Sequence, residues 1–140
     1  MDTSQLVRRA PAEVRRSLLL TGAGLAVLGC LDPFEPPFDT YRFDPPSVYS
    51  MLWRQVEDCS GLRGDFARIE WYVVPGAFIR RPDGHINGAW QPPHTIYLSE
   101  YAAHDSPSGY FTVRHEMLHD LLQGGGDHPP VFATCGLLRT

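Results

Sequence analysis

Residues 112–132 of the 140-residue chain read TVRHEMLHDLLQGGGDHPPVF, and they gather three of its six histidines around one glutamate. His115 and His119 are four apart, a spacing that on an α-helix stacks both imidazoles on one face, where they can share a single divalent ion. Glu116 projects beside them, placed to take a proton from a water held at that ion. Such a pair suits Zn2+, which in catalytic sites holds three protein donors and keeps one position open. His128 is the first candidate for the third donor. The helix advances about 6 Å from His119 to Gln123, and the five residues onward to His128 span up to roughly 16 Å, enough for a return. Asp127 competes for that third position, and Asp127 or Asp120 can instead orient an imidazole from behind.

Elements that hold these groups are legible around them. Ser106 and Pro107 supply an N-cap and a first helical residue, and only Gly109 interrupts good helix formers before Gln123, so HEMLH lies on a helix. Gly124, Gly125 and Gly126 end that helix and let the chain reverse through positive φ, after which Pro129 and Pro130 stiffen the loop. Upstream, Ser47 caps a helix whose Val48, Met51, Leu52, Val56 and Cys59 share a face, with Gly61 past its end. Residues 65–74 alternate Ile69, Trp71 and Val73 against Arg68, Glu70 and Tyr72, a half-buried strand stopped by Pro75 and Gly76. Residues 78–81 meet the turn Pro82-Asp83-Gly84, predicting a hairpin that returns through Ile86 to Trp90 with Gly88 as a bulge. HTIYLSE, residues 94–100, is a further short strand. Helix, strands, helix describes an α+β domain over residues 47–140, with a core helix, a small twisted antiparallel or mixed sheet and the HExxH helix last. His85, His94 and His104 lack a surrounding motif and read as surface or turn residues.

Composition narrows the function classes. A 43% hydrophobic content is enough for one core. All 12 basic side chains are arginine, and beyond residue 30 eight of them face 14 acids, a net charge of −6. That balance excludes a nucleic-acid surface, which needs a basic stripe. Four arginines fall within the first 16 residues, ahead of an apolar run from Leu18 to Gly29. This is the layout of an export signal, and its 12 residues fall short of the about 20 needed to span a bilayer. Val27-Leu28-Gly29-Cys30 resembles the lipobox of bacterial lipoproteins, which implies cleavage after residue 29 and a lipid anchor on Cys30, facing outward from the cell membrane. The arginine pairs fit either the general or the twin-arginine export route. Residues 31–46 carry five prolines and read as a semi-rigid tether. Cys59 and Cys135 remain, either bridged across the intervening chain in an oxidising compartment or left as two buried thiols.

His115-Glu116-Met117-Leu118-His119 resembles the active helix of the zincin metallopeptidases. The later HPPVF, with Phe132 four residues after His128, is similar to the compact SprT-like zincins, in which a downstream histidine completes the site. The resemblance covers mainly residues 95–132. The interval from His119 to His128 is longer than in metzincins, and no glutamate follows His128 as the gluzincin pattern requires. Membership of this kind implies zinc-dependent hydrolysis of a peptide amide with Glu116 as general base. It also implies an extended substrate lying along TIYLS, residues 95–99, as edge strand, and Tyr101 or Tyr110 steadying the carbonyl oxygen. The expected protein is therefore an exported, membrane-anchored zinc peptidase acting on a peptide or protein of the cell envelope. The alternative is a non-catalytic zinc-binding envelope lipoprotein serving as a binding or structural module.

Overall fold

A computed structural model describes residues 35–104 and 106–139. The export signal, Cys30 and the start of the tether lie outside the described residues. The described chain forms a mixed α+β arrangement of four helices, a four-stranded sheet and a two-stranded sheet. None of the described helices is long and apolar enough to cross a membrane.

Helix α1, Val48–Ser60, buries Tyr49, Leu52, Trp53 and Val56. The helix and its period are as expected, but its buried face is rotated: Met51 is 51% exposed, and two aromatic rings take the core positions instead. Aromatic burial removes more surface from water than burial of a thioether or a valine, and it wins the rotation. Tyr49 packs 5.1 Å from the Trp71 ring and Trp53 6.0 Å from Phe66. Ser47 itself takes helical dihedrals, so its hydroxyl makes no cap. Gly61 ends the helix in the left-handed region, at φ 72°, with its N–H on the Glu57 carbonyl.

Strand β1 is Tyr41–Arg42 and β2 is Glu70–Val74, whose Trp71 and Val73 face the core as the alternation requires. A 3-10 turn over Phe66–Arg68, capped by the Asp65 carboxylate, occupies the start of the predicted strand. Strands β3, Ile79–Arg81, and β4, Gly84–Ile86, form the expected hairpin. The return does not continue to Trp90. After Asn87 the chain enters the larger sheet as β5, Gly88–Gln91, and β6, Thr95–Ser99, comes next. The order is β1-β2-β6-β5, with β2 and β6 parallel and the outer pairs antiparallel. TIYLS is thus an inner strand, paired on both sides, and the edges of this sheet are β1 and β5. The pattern of β6 specifies a strand but not its neighbours, because strand order depends on contacts distant in sequence.

Helix α2 is Glu100–Ala103, and α3, carrying HEMLH, is Pro107–Leu122. Ser106 caps α3 by accepting the Gly109 N–H at 3.0 Å, with Pro107 at the first helical position. Its other end departs from expectation in detail. Gln123 itself adopts φ 51°, and among the three following glycines only Gly126, at φ 88°, is left-handed. The Gln123 side chain donates to the Asp120 carbonyl at 2.6 Å, which offsets the strain of a non-glycine residue there. A further short helix, α4, Pro130–Thr134, starts where a stiff loop was expected, because Pro130 has the φ of a first helical residue.

The core joins Leu52 and Trp53 of α1, Trp71, Ile96 and Leu98 of the sheet, Val113, Met117 and Leu118 of α3, and Phe132 and Leu137 of the C-terminal segment. Cys59 and Cys135 are joined in a disulfide across 76 residues, tying the end of α1 to the end of α4. On the chain-entropy account such a loop contributes up to about 4 kcal/mol.

Candidate metal centre

Helix periodicity places His115 and His119 on one face of α3, their rings 5.0 Å apart. The chain after α3 brings back His128, whose ring lies 4.8 Å from His115 and 5.2 Å from His119. One donor atom from each of the three falls within 4.8 Å of the others, and this group could hold a metal ion. Asp127 is exposed and is not part of it.

Two of the imidazoles are oriented from behind. Nδ1 of His115 donates to the Leu137 carbonyl at 2.8 Å, and Nδ1 of His119 donates to the Gly124 carbonyl at 2.7 Å. With the proton fixed on Nδ1, each Nε2 keeps a free lone pair on the site side, the arrangement usual for metal-ligating histidine. Nε2 of His115 and Nε2 of His128 are 3.1 Å apart. Donors about 2.0–2.1 Å from a tetrahedral ion stand about 3.3 Å from each other, so this pair is close enough to share one ion, within a set whose donor atoms all lie within 4.8 Å of one another. Phe132, fully buried, forms the floor: its ring lies 4.9, 4.7 and 4.8 Å from the rings of His115, His119 and His128. Burial pushes the His119 imidazolium down to about 4, and the neighbouring imidazoles add to that effect. His115 is also lowered, by burial first. Both are therefore neutral and able to coordinate at physiological pH.

Glu116 is 5% exposed, and burial pushes its carboxyl up to about 8, opposed by a hydrogen bond from the Trp90 backbone N–H. That bond shows how close β5 runs to α3. A Cβ on Gly88 would lie 2.8 Å from Cγ and Oε1 of Glu116 and from Cγ2 of Thr112, so the strand reaches the helix only because residue 88 has no side chain. Gly88, expected as a bulge, pairs in regular register with Leu98 and permits this close approach.

Among the described residues, Asp120 makes no carboxylate hydrogen bond to His115, His119 or His128. Its buried carboxylate accepts from Trp90 Nε1 at 3.0 Å and pairs with His94 Nδ1 at 3.1 Å. Trp90 is thereby fastened to α3 twice, by its backbone at Glu116 and by its indole at Asp120. This clamp was missed because His94 has no motif around it and the contact depends on how β5 and β6 pair. His104 is exposed after α2.

Beside the metal centre lies a cleft of about 440 Å³, walled by β4 and β5 on one side and by α3 and residues 137–139 on the other. His85, Asn87, Phe111 and Arg139 line it together with His115, Glu116 and His128. The Asn87 side-chain oxygen is buried without a hydrogen-bond partner among the described residues. Tyr101 is half exposed on α2 and Tyr110 packs against the core, and neither lines the cleft. Comparison with known proteins leaves the arrangement to be read from its own residues, since no family model, curated protein or solved structure matches the chain.

Proposed function

We propose that the chain is an exported zinc-dependent peptidase, anchored to the membrane through Cys30, that cleaves peptide amides in the cell envelope with Glu116 as general base. The observation that carries this reading is the meeting of three metal-competent imidazoles beside a buried carboxylate, with His115, His128 and Glu116 lining one cleft. Zinc, when bound, supplies Lewis acidity, polarising a carbonyl and shifting the pKa of water toward about 7. The chain's own residues do the rest. His115, His119 and His128 would hold the ion, and the Leu137 and Gly124 carbonyls keep two of them in the correct tautomer. Glu116 takes a proton from the attacking water and hands it to the leaving nitrogen. An extended peptide would add to the outer edge of β5, in place of the β6 edge expected from sequence, with backbone pairing giving affinity. The Cys59–Cys135 bridge supports export, because such bonds persist in oxidising compartments.

A Glu116→Gln comparison tests the enzyme. The expected outcome is retained zinc with cleavage of a broad quenched-fluorescent peptide library reduced at least a hundredfold, the range of general-base loss. Cleavage equal to the parent's contradicts the assignment. Burial of Glu116 favours the second reading, a non-catalytic zinc module of the envelope, since a base this enclosed offers little access to a bulky substrate. Zinc binding by a parent that cleaves no member of the library would select it. A Cys30→Ala variant is expected to leave the membrane fraction.

A further inference from the structure

The cleft lacks the acidic excess of the domain around it. Beyond residue 30 the chain is acidic, yet the cleft wall holds a single acid, Glu116, which is buried, beside His85, His115, His128 and Arg139. Arg139 has no carboxylate partner among the described residues, whose ion pairs are Arg42 with Glu70, Arg63 with Asp58, Arg81 with Asp83 and His94 with Asp120. Its guanidinium is held instead over the Phe111 ring, 5.1 Å from the centroid, a cation–π contact that fixes the group without neutralising it. Ile86, Leu137 and Leu138 line the same cleft, and Arg139 is exposed to an entering ligand.

The position of that charge relative to the chemistry is bounded by two ring separations. Arg139 lies 5.1 Å from the Phe111 ring and Phe111 lies 6.2 Å from the His115 ring, so the guanidinium is at most about 11 Å from a metal ligand. An extended peptide advances about 3.3 Å per residue, so that distance covers about three residues. Arginine offers a planar fork of N–H donors that matches a carboxylate with two parallel hydrogen bonds.

We propose that Arg139 is the specificity-determining residue of this cleft and that its substrates are peptides bearing a carboxylate within about three residues of the scissile amide. The proposal rests on the hydrolase reading above. The carboxylate belongs either to an acidic side chain or to a free C-terminus, and both present the same two oxygens to the fork.

The test uses the full chain loaded with zinc and peptide pairs that differ only as Glu against Gln at each of three positions on either side of the cleavage point, or as C-terminal acid against amide. The parent is expected to prefer the acid member in kcat/KM by about 10- to 100-fold, the range for a charge-assisted hydrogen bond. In Arg139→Gln that preference should collapse toward unity, chiefly through KM, and Arg139→Lys should restore part of it. The position at which the preference occurs distinguishes side chain from terminus. A preference that survives Arg139→Gln, or a parent that shows none, overturns the proposal. Fluorescence anisotropy separates failure of the chemistry from failure of the specificity. Fluorescein-labelled Glu and Gln peptides are titrated into the zinc-loaded Glu116→Gln protein with Arg139 present or replaced. Tighter binding of the Glu peptide that depends on Arg139 supports the proposal even where the parent cleaves nothing. Equal binding of the Glu and Gln peptides, together with equal binding of labelled C-terminal acid and amide forms, overturns it.

Discussion

Helix α3 and the segment after it contribute to the same candidate metal centre by different physical routes. The helix delivers His115, Glu116 and His119 through local periodicity alone, with a Ser106 cap and a left-handed Gln123 at its ends. The later segment delivers His128, the Phe132 floor and the Leu137 carbonyl, and each of these reaches the site only because residues 130–137 dock on the core and Cys135 is bonded to Cys59. One half of the site is held by hydrogen bonds four residues long, the other by contacts up to 76 residues apart. Perturbing the second half should therefore loosen the centre while leaving the helix formed.

The largest effect on this comparison is expected from Phe132→Ala. Removing a fully buried ring that touches all three imidazoles should cost about 3–5 kcal/mol, measurable by denaturant titration, and weaken zinc binding with it. Retained affinity in a folded variant would mean that the floor does not position the ligands. Next comes the disulfide: a Cys59→Ser, Cys135→Ser double variant, or reduction of the parent, should lower stability by about 2–4 kcal/mol. The helical circular dichroism of the surviving fold should be retained while zinc affinity falls, because the Leu137 carbonyl behind His115 loses its tether. Equal zinc affinity with and without the bond would separate the two halves in a way the comparison forbids.

The helix itself is probed by pH in the metal-free protein. Glu116 has a folded pKa of about 8 against an ordinary 4.5, so the folded chain holds a proton that the unfolded chain releases, and this contribution to stability is lost as pH rises through that window. His119, lowered from 6.5 to about 4, works the other way: between those values the unfolded chain holds the extra proton and stability rises with pH. The two oppose each other below pH 6.5, and above it only the Glu116 contribution remains. Stability of the metal-free protein should thus fall by about 2 kcal/mol between about pH 6.5 and 8, and Glu116→Gln should abolish the fall. A flat profile in the parent would contradict the burial of that carboxylate.

The same division governs what could be read in advance. HEMLH, its capping serine and the α1 helix are local patterns, and the α+β class with its core helix and hairpin is built from them. The rotation of α1 toward Tyr49 and Trp53 comes from competition among aromatic partners that the period does not encode. The exchange of edge strand from β6 to β5 has the same origin, since five residues of β-type sequence specify a strand without specifying its neighbours. Reach and residue type pointed to His128, and it stands with the other two imidazoles, whereas the Leu137 carbonyl, the Asp120–His94 pair and the Gly88 approach are long-range contacts with no sequence signature. Asp120, expected behind one of the clustered imidazoles, pairs instead with the His94 ring and secures Trp90.

The central claim is that one divalent ion is held jointly by the helix and the returning segment. X-ray absorption at the zinc edge of the purified full chain, beside His128→Ala, tests it most directly. The account predicts one zinc per chain with three imidazole nitrogens at about 2.0–2.1 Å in the parent, and one imidazole fewer with weakened retention in the variant. Zinc-free protein, or an identical coordination shell in both, would contradict it.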